Sequence, residues 1–244
     1  MDATERLAPW TNEPALPQRC VCCGGETFAQ TAVLWPALIE QWELSPDEAA
    51  AIELQQGRHC TACRSSLRTM VLARAILRAF GAREPFAAFV ASDAAQNLRV
   101  LEINEAGELT QFLSLLPGHT LICHPRYDMT ALPFEDHTYD LVCHSDTLEH
   151  VARPVDGLRE CRRVLRPGGV LAFTVPIVPG RPTRRRDGLP PSYHTGPVAN
   201  ASDYLVHTEY GDDAWRQVVD AGFDECCITA LAPPAAFALA ARAY

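Results

Sequence analysis

The amino-acid sequence predicts an α/β fold, built on a mostly parallel sheet that ends in an antiparallel hairpin. Two patterns in the second half of the chain carry this prediction. From Asn97 onward, short apolar runs alternate with helical segments, which is the order of a parallel sheet with crossover helices. Near the C-terminus, residues 225–231 and 236–242 are two apolar segments separated by prolines, and this arrangement indicates a hairpin.

The parallel sheet is expected to contain four strands, each formed by a short apolar run. They cover residues 98–103, 119–123, 139–144 and 169–175. A helix is expected between the last two strands, because apolar side chains recur there at helical spacing and form one face. These side chains are Val155, Leu158, Cys161 and Leu165. A final helix near residues 212–221 precedes the hairpin.

The first third of the chain predicts a different, mainly helical region. Residues 1–18 contain three prolines and no sustained periodicity, which is typical of a poorly ordered lead-in. Residues 31–57 have a helical pattern, in which Ser45 and Glu48 mark a helix start as N-cap and acidic partner three positions on. Apolar residues at three- and four-residue steps then predict a connecting helix over residues 67–80, before a glycine stop.

Composition narrows the class of protein. A chain of 244 residues suits a main domain at 97–244, preceded by a cysteine-rich region at 19–81 and the lead-in at 1–18. The net charge of −9 disfavours broad nucleic-acid binding, which depends on Lys and Arg neutralising phosphates. The longest uncharged stretch is shorter than the ~20 residues of a membrane span. Ten cysteines behind a start without a long apolar run favour a reducing, cytoplasmic compartment.

Two C-x2-C pairs stand in the first part of the chain: Cys20 with Cys23, and Cys60 with Cys63. Two residues between ligands let a tight turn present both sulfurs to one ion, so the pairs predict a tetrahedral zinc site. Four sulfur ligands leave no open position, which favours a structural role for the metal. The alternatives are that Cys22 or His59 replaces one ligand, or that some of these cysteines are ordinary buried thiols.

Four segments follow one another in the main domain: DMTALPF at 128–134, YDLV at 139–142, LEHV at 148–151 and RVLRPGG at 163–169. In this order and at these intervals they resemble the class I methyltransferases that use S-adenosylmethionine, particularly the type 11 group. The CTACR segment at 60–64 also looks like the cysteine-rich leader of some bacterial members. The resemblance implies a Rossmann-like sheet with helices on both faces, preceded by a small helical zinc-knuckle region.

The resemblance also implies a cofactor site beyond the carboxyl ends of the strands, where open α/β sheets bind ligands. It assigns to this site Glu102, Asn104, Gly107, Asp128, Met129, His144 and Ser145. Asp128 matches the family aspartate that contacts the adenine amino group, with Met129 beside the ring. The family's glycine-rich loop is altered, because Asn104 stands within it and Gly107 is displaced, but asparagine tolerates a left-handed backbone. No residue is assigned to the ribose.

A long segment after the last parallel strand is expected to determine the acceptor. Its candidate substrate contacts are Arg184, Arg185, Arg186, Tyr193 and His207. Guanidinium groups suit phosphate or carboxylate, which favours a small acceptor such as a phosphorylated or nucleotide-linked sugar. His194 is the candidate residue for proton transfer. A solvated loop is the alternative for the arginines, and a packing or solvated role is the alternative for each histidine.

These observations predict an S-adenosylmethionine-dependent methyltransferase that acts on a small molecule and holds Zn²⁺. Two alternatives stay open at this stage. One is an RNA methyltransferase whose metal knuckle grips the nucleic acid. The other is a noncatalytic scaffold of the same fold, which binds a partner through the metal region.

Overall fold

The computed structural model describes residues 16–83, 85–193, 201–233 and 235–244. Its strands are β1 (Phe28–Gln30), β2 (Arg58–Cys60), β3 (Arg99–Ile103), β4 (Gly118–Ile122), β5 (Tyr139–Ser145), β6 (Leu165–Thr174), β7 (Arg184–Arg185), β8 (Thr208–Glu209), β9 (Cys227–Leu231) and β10 (Ala236–Arg242). Its α-helices are α1 (Pro36–Gln41), α2 (Pro46–Gly57), α3 (Leu67–Ala79), α4 (Phe86–Val90), α5 (Asp93–Gln96), α6 (Thr110–Leu113), α7 (Pro154–Val164) and α8 (Trp215–Asp220). Short 3-10 turns cover Gly107–Leu109, Leu148–His150 and Ala201–Tyr204.

Two predictions concern the N-terminal lead-in and the expectation of no membrane-spanning segment. The lead-in expected at residues 1–18 lies almost entirely outside the described residues. Within the part of the chain that the structure describes, no helix has the length and apolar character needed to cross a bilayer.

The centre of the molecule is a six-stranded sheet in the order β4-β3-β5-β6-β10-β9. Strands β4, β3, β5 and β6 run parallel, and β10 is antiparallel to both of its neighbours. Leu239 of β10 pairs with Phe173 of β6 on one side and with Ile228 of β9 on the other. The α/β class, the four parallel strands and the C-terminal hairpin are therefore confirmed.

Helices cover both faces of the sheet, because successive residues of a strand point to opposite sides. In β3, Val100 packs in the core that contains residues of α3, α4 and α6, whereas Leu101 packs in the core that contains α7 and α8. The predicted amphipathic helix is α7, whose Leu158 and Cys161 are fully buried against the sheet. The two cores fix the strand ends at which the candidate site forms.

The cysteine-rich region at residues 19–81, which we call the leader, is only partly helical. Its first part differs from the prediction. The helical pattern at residues 31–57 resolves into α1 and α2, and residues 31–35 are not helical. Glu53 of α2 accepts hydrogen bonds from the backbone N–H groups of Val33 (3.0 Å) and Leu34 (2.7 Å), which holds that stretch against α2. The predicted capping box at the start of α2 is confirmed. The strands on either side of α1 and α2 pair as the two-stranded antiparallel ribbon β1–β2, which was not predicted. We call the chain between the two cysteine pairs the excursion.

Helix α3 connects the leader to the sheet, as predicted. Ser66 caps its start by accepting a hydrogen bond from the Thr69 N–H, and the helix ends close to the expected glycine stop. It packs along β6, β9 and β10. At its far end, Arg242 of β10 donates to the Ala79 carbonyl. The leader is therefore anchored on the sheet through a fully packed helix.

Candidate cofactor site and metal centre

A cavity of about 780 Å³ opens at the carboxyl ends of β3, β4 and β5. The last residues of these strands, Ile103, Ile122 and Ser145, all contribute to its lining. Open α/β sheets bind ligands at this edge, and small-molecule sites typically measure about 300–1,000 Å³. The predicted cofactor residues that line the cavity are Asn104, Asp128, Met129 and Ser145.

Asn104 ties the strand ends together at the cavity. Its φ of 54° lies in the left-handed region that asparagine tolerates. Its backbone N–H donates to the Ile122 carbonyl (2.7 Å), and its side-chain oxygen accepts from the His124 N–H (2.9 Å). Its side-chain nitrogen donates to the Thr147 hydroxyl beyond β5 (3.3 Å). Asn104 thus makes side-chain bonds that a glycine at this turn could not make.

Glu102 and Gly107 lie next to the cavity and not in its described lining. Glu102 is fully buried, and its carboxylate accepts hydrogen bonds from the Ala106 N–H (2.7 Å) and the Thr110 hydroxyl (2.5 Å). Its other oxygen lies 2.7 Å from Nε2 of His119. Gly107 begins the 3-10 turn and faces α3. In this structure, Glu102 shapes the loop after β3 from within.

Asp128 and Met129 form one side of the cavity below the end of β4. The Asp128 carboxylate accepts two hydrogen bonds of 2.8 Å from Thr130, one from the backbone N–H and one from the hydroxyl. Both bonds lower the pKa of the Asp128 carboxyl, and the backbone bond has the larger effect. Met129 is almost fully buried against α7, where Gly157 leaves room for it. A Cβ at position 157 would lie 3.2 Å from Cγ of Met129. This side of the cavity therefore offers an ionised acceptor next to a fixed apolar side chain.

His144 is fully buried beneath the end of β5 and lies outside the described cavity lining. Its ring stacks on Phe173 with 4.8 Å between centroids. Among the described residues, neither of its ring nitrogens has a hydrogen-bond partner. Burial lowers the pKa of His144 to about 4, although the charge of Glu149 acts in the opposite direction. Ser145 follows in the lining, with Oγ 2.8 Å from the Thr174 hydroxyl.

The three predicted substrate arginines are held in ion pairs around β7 and β8. Nε of Arg184 donates to Glu209 at 2.5 Å, and the nearly buried Arg186 donates to the other oxygen of the same carboxylate. Arg185 pairs with Asp187 at 3.2 Å. The cavity lining in the described part of the chain includes none of the three arginines. Each of the three guanidinium groups thus has a carboxylate partner within this segment, and their contact with a substrate stays a prediction.

Two histidines from this side do reach the cavity, His150 and His207. The backbone N–H of His207 donates to the Glu149 carbonyl (2.8 Å), which fixes it beside the end of β5. Burial lowers the pKa of His207, and the positive charge of Arg185 lowers it further. The imidazole of His207 is consequently neutral at neutral pH.

Two further residues predicted in this segment are placed elsewhere. Tyr193 pairs with Leu205 in an isolated β-bridge outside the described cavity lining. His194 lies outside the described residues, so its role in proton transfer stays a prediction.

One wall of the cavity was not identified from the sequence, because it comes from the leader. Its apolar members are Val33, Leu34, Trp35, Leu38, Trp42, Leu44 and Ile52. From α3, Arg68 also lines the cavity and donates to Asp146 after β5. The available signal was two tryptophans within eight residues, in a region too short to bury them in a core of its own.

Residues 82–173 match the family model described as a methyltransferase domain. The match includes β3, β4, β5 and β6, and therefore the strand ends that line the cavity. We call this part of the chain the methyltransferase domain, after the family that it matches. The predicted resemblance to methyltransferases that use S-adenosylmethionine is confirmed.

Two curated relatives match part of this chain. Both are demethylmenaquinone methyltransferases. The one from Clavibacter sepedonicus is 46% identical over 55 residues, which are 21% of this chain and 22% of the relative. The one from Corynebacterium urealyticum is 46% identical over 61 residues, which are 24% and 26% of the two chains. The chain thus matches about a quarter of the length of these relatives.

Solved structures that align with part of this chain include methyltransferases at low identity. The methyltransferase domain of the citrinin polyketide synthase aligns with a TM-score of 0.40 and 13% identity, over 60% of this chain and 46% of that one. A methyltransferase from Aquifex aeolicus that depends on S-adenosylmethionine aligns with a TM-score of 0.37 and 13% identity, over 60% and 81%.

In front of the methyltransferase domain, the structure brings the two predicted cysteine pairs together. The Sγ atoms of Cys20, Cys23, Cys60 and Cys63 all lie within 4.8 Å of one another. The Cys20–Cys63 and Cys23–Cys60 distances are 3.6 and 3.7 Å. Tetrahedral zinc with bonds of about 2.3 Å requires sulfur–sulfur distances of about 3.8 Å. Thus the geometry and the four-thiol donor set fit a zinc ion.

Each cysteine pair is shaped by a tight turn of its own. The Gly24 N–H donates to the Cys20 carbonyl (2.8 Å) with a φ of 80° at Gly24, which favours glycine at this position. The Arg64 N–H donates in the same way to the Cys60 carbonyl (2.9 Å), with a φ of 67°. Within the described residues, the sulfur cluster includes neither of the two alternative ligands, Cys22 and His59, and Nδ1 of His59 lies 2.9 Å from the Gly57 carbonyl.

The cysteine cluster touches the loop after β3 of the methyltransferase domain. The side chain of Gln111 donates to the Cys63 carbonyl (3.0 Å). From the first turn of α3, the Thr69 hydroxyl donates to Glu108 (3.0 Å), and Arg68 donates to Asp146. A metal at the cysteines would therefore stabilise a region in direct contact with the cavity.

Proposed function

We propose that the chain transfers a methyl group from S-adenosylmethionine to a small-molecule acceptor, with the cofactor bound in the cavity at the ends of β3, β4 and β5. One observation carries the proposal. Asp128 and Met129, which the resemblance assigns to the adenine, line the cavity directly beside those strand ends. The pKa of the Asp128 carboxyl is lowered, so it is ionised and accepts a hydrogen bond from an amino group.

The remaining cofactor contacts would come from the turns after β3 and β5. Asn104 and Ser145 line the cavity there. Asn104 is held by bonds to both neighbouring strand ends, so the turn is already formed before a ligand arrives. Because its side chain supplies these bonds, the loss of the usual glycines does not by itself remove the site.

S-adenosylmethionine, when bound, supplies the methyl group as an electrophile. Displacement from its sulfonium requires an aligned nucleophile and the exclusion of water more than covalent help from the protein. Where the acceptor atom carries a proton, a general base in its unprotonated form can take it. His207 lines the cavity, and its lowered pKa keeps it neutral, so we assign it this role beside the predicted His194.

The acceptor is proposed to be a small molecule. A phosphorylated or nucleotide-linked sugar has less support than an acceptor without a phosphate. Such a phosphate would need the arginines after β6. Arg184 and Arg186 already share the carboxylate of Glu209, which lies nearly buried between them. Binding a phosphate there would leave that carboxylate without its partners, at a cost of several kcal/mol.

We also propose a structural zinc ion at the four clustered cysteines. Thiol geometry supports it, as does the position of the pairs on two matching turns. The ion would close the excursion that contains α1 and α2. Its binding energy would then contribute to the folding of the leader.

The test is a calorimetric titration with S-adenosylmethionine of the wild type, Asp128→Ala and Asp136→Ala. Asp136 is a matched control, because it is an exposed carboxylate that pairs with Arg163 on the surface. Loss of a charge-assisted hydrogen bond costs about 1.5–3 kcal/mol, so Asp128→Ala should bind roughly ten- to a hundredfold more weakly. Asp136→Ala should bind as the wild type does.

Equal affinities of the two variants would contradict the assignment of Asp128. No binding to the wild type would contradict the methyltransferase proposal as a whole and favour the noncatalytic scaffold. A salt-dependent affinity for RNA, with cofactor binding intact, would instead favour an RNA acceptor.

A further inference from the structure

The excursion between the two cysteine pairs forms an apolar wall over the proposed cofactor site. It contributes seven apolar side chains to the cavity, which we call the leader wall: Val33, Leu34, Trp35, Leu38, Trp42, Leu44 and Ile52. The described lining of the same cavity also includes polar residues of the strand-end turns, among them Asn104, Asp128 and Asp146. A ligand bound on the polar side would therefore face an apolar surface.

Side-chain hydrogen bonds hold the leader wall in place from within. Both carboxylate oxygens of Glu53 accept from the Val33 N–H, at 3.2 and 3.0 Å, and one also accepts from the Leu34 N–H at 2.7 Å. The backbone just before Trp35 is thereby fixed against α2. Because the wall is fixed before a ligand binds, binding costs little ordering of these residues.

The leader wall is also fastened to the segment that follows β6. The indole N–H of Trp42 donates to the Ser192 hydroxyl (2.8 Å), and Arg181 forms an ion pair with Glu48 (2.5 Å). Leu38, Trp42, Leu44 and Ile52 form a small core together with Val178 and Val206. The wall thus stands between the methyltransferase domain and the segment expected to select the acceptor.

The charges around the cavity disfavour an anionic acceptor. Its lining contains four carboxylates, Glu105, Asp128, Asp146 and Asp203. It contains two guanidinium groups, and both are paired, Arg68 with Asp146 and Arg153 with Asp156. A phosphate would enter a field of excess negative charge, whereas an uncharged ring would only displace water from apolar side chains.

Trp35 is the member of the wall that is best placed to contact a ring. Its side chain is 37% exposed although it lines the cavity, whereas Trp42 is only 5% exposed and lies in the small core. An indole that faces a cavity binds planar aromatic ligands by offset or edge contacts. Exposed large aromatic side chains at a concave site are typical of ligand contacts.

We infer that the leader wall is the acceptor site and that the acceptor is an uncharged aromatic compound that packs on Trp35. This inference rests on the proposed function, because it takes the polar side of the cavity as the cofactor site. It names a specificity-determining role for the insertion between the cysteine pairs. The same insertion would make acceptor binding depend on the region closed by the metal.

The test uses two probes that differ only by a phosphate, 1-naphthol and 1-naphthyl phosphate. Each is titrated by calorimetry into protein saturated with S-adenosylhomocysteine, a product form of the cofactor. The proteins are the wild type, Trp35→Ala, Trp35→Phe and Trp215→Ala. Trp215 is a matched control, because it is 40% exposed on α8 and lies outside the described cavity lining.

The wild type should bind 1-naphthol more tightly than 1-naphthyl phosphate. Trp35→Ala should weaken 1-naphthol binding roughly five- to tenfold, the loss expected for one aromatic contact. Trp35→Phe should retain most of the affinity, and Trp215→Ala should match the wild type. Affinity for S-adenosylhomocysteine should be unchanged in every variant, which also shows that Trp35→Ala is folded.

Preferential binding of 1-naphthyl phosphate would overturn the inference, and so would equal 1-naphthol affinity in Trp35→Ala and Trp215→Ala. Failure of the wild type to bind 1-naphthol while it binds S-adenosylhomocysteine would also overturn it and leave the proposed cofactor site standing. Failure to bind S-adenosylhomocysteine at all would instead remove the proposed function.

Discussion

The buried imidazole of His144 should make the stability of the protein depend on pH in a defined window. Burial lowers its pKa from an ordinary value of 6.5 to about 4, so the folded protein does not take up a proton there above about pH 4. The unfolded chain takes up that proton as the pH falls through about 6.5. The contribution to stability is therefore complete above pH 6.5 and is lost as the pH falls towards 4. At about 1.4 kcal/mol per pKa unit, the loss amounts to about 3 kcal/mol.

The prediction is tested by urea unfolding of the wild type, His144→Leu and His124→Gln between pH 7.5 and 4.5. Leucine does not titrate, and among the described residues neither ring nitrogen of His144 has a hydrogen-bond partner to lose. His144→Leu should therefore lose about 2–3 kcal/mol less than the wild type over this range. His124 is exposed, and His124→Gln serves as the histidine control. The reasoning fails if His144→Leu and the wild type show the same pH dependence of the free energy of unfolding.

Other predictions concern the metal and the arginines. Protein prepared without chelators should carry about one zinc per chain by metal analysis; Cys60→Ser should lose it, whereas Cys22→Ser should keep it. Chelation should speed hydrogen exchange first within residues 19–80, and uniform exchange would contradict a structural ion. Arg186→Ala should lower the free energy of unfolding by about 3 kcal/mol, because it removes a partner of a nearly buried carboxylate. The exposed Arg185→Ala should change it by less than about 1 kcal/mol, and a reversed order would contradict the stabilising role given to Arg186.

The sheet could be predicted from the sequence because its signals are local. Each parallel strand is a short apolar run, and α7 shows its buried face through residues such as Leu158 and Cys161. The capping box of α2 is likewise a local signal, because both of its side chains lie within four consecutive residues. The paired cysteines needed one further assumption, that both turns meet, and the structure places their sulfurs together.

The candidate site was harder to predict because its contacts join distant parts of the chain. Glu102 was expected to face the cofactor; its carboxylate accepts hydrogen bonds from Ala106 and Thr110 within the fold, so its contact with the cofactor stays a prediction. The positive charges of Arg184 and Arg186 suggested phosphate, and only the pairing of β7 with β8 brings Glu209 between them. Residue type indicated the chemistry of these groups, but not the partners that use it.

The leader wall shows the same limit most clearly. Trp42 bonds to Ser192 across 150 positions of sequence, and no local pattern indicates that contact. Asn104 is the opposite case. Its tolerance of a left-handed backbone was predicted, and its φ of 54° confirms it, although its bonds to both neighbouring strand ends were not foreseen.

The central claim is that the cavity at the strand ends binds S-adenosylmethionine. A crystal structure of the protein with S-adenosylhomocysteine tests it most directly. We expect one bound molecule in the cavity, with its adenine amino group within hydrogen-bonding distance of Asp128 and its ring against Met129. Its sulfur should point towards the part of the cavity that the leader wall lines. A molecule bound elsewhere, or a cavity that stays without ligand at saturating concentration, would contradict the account.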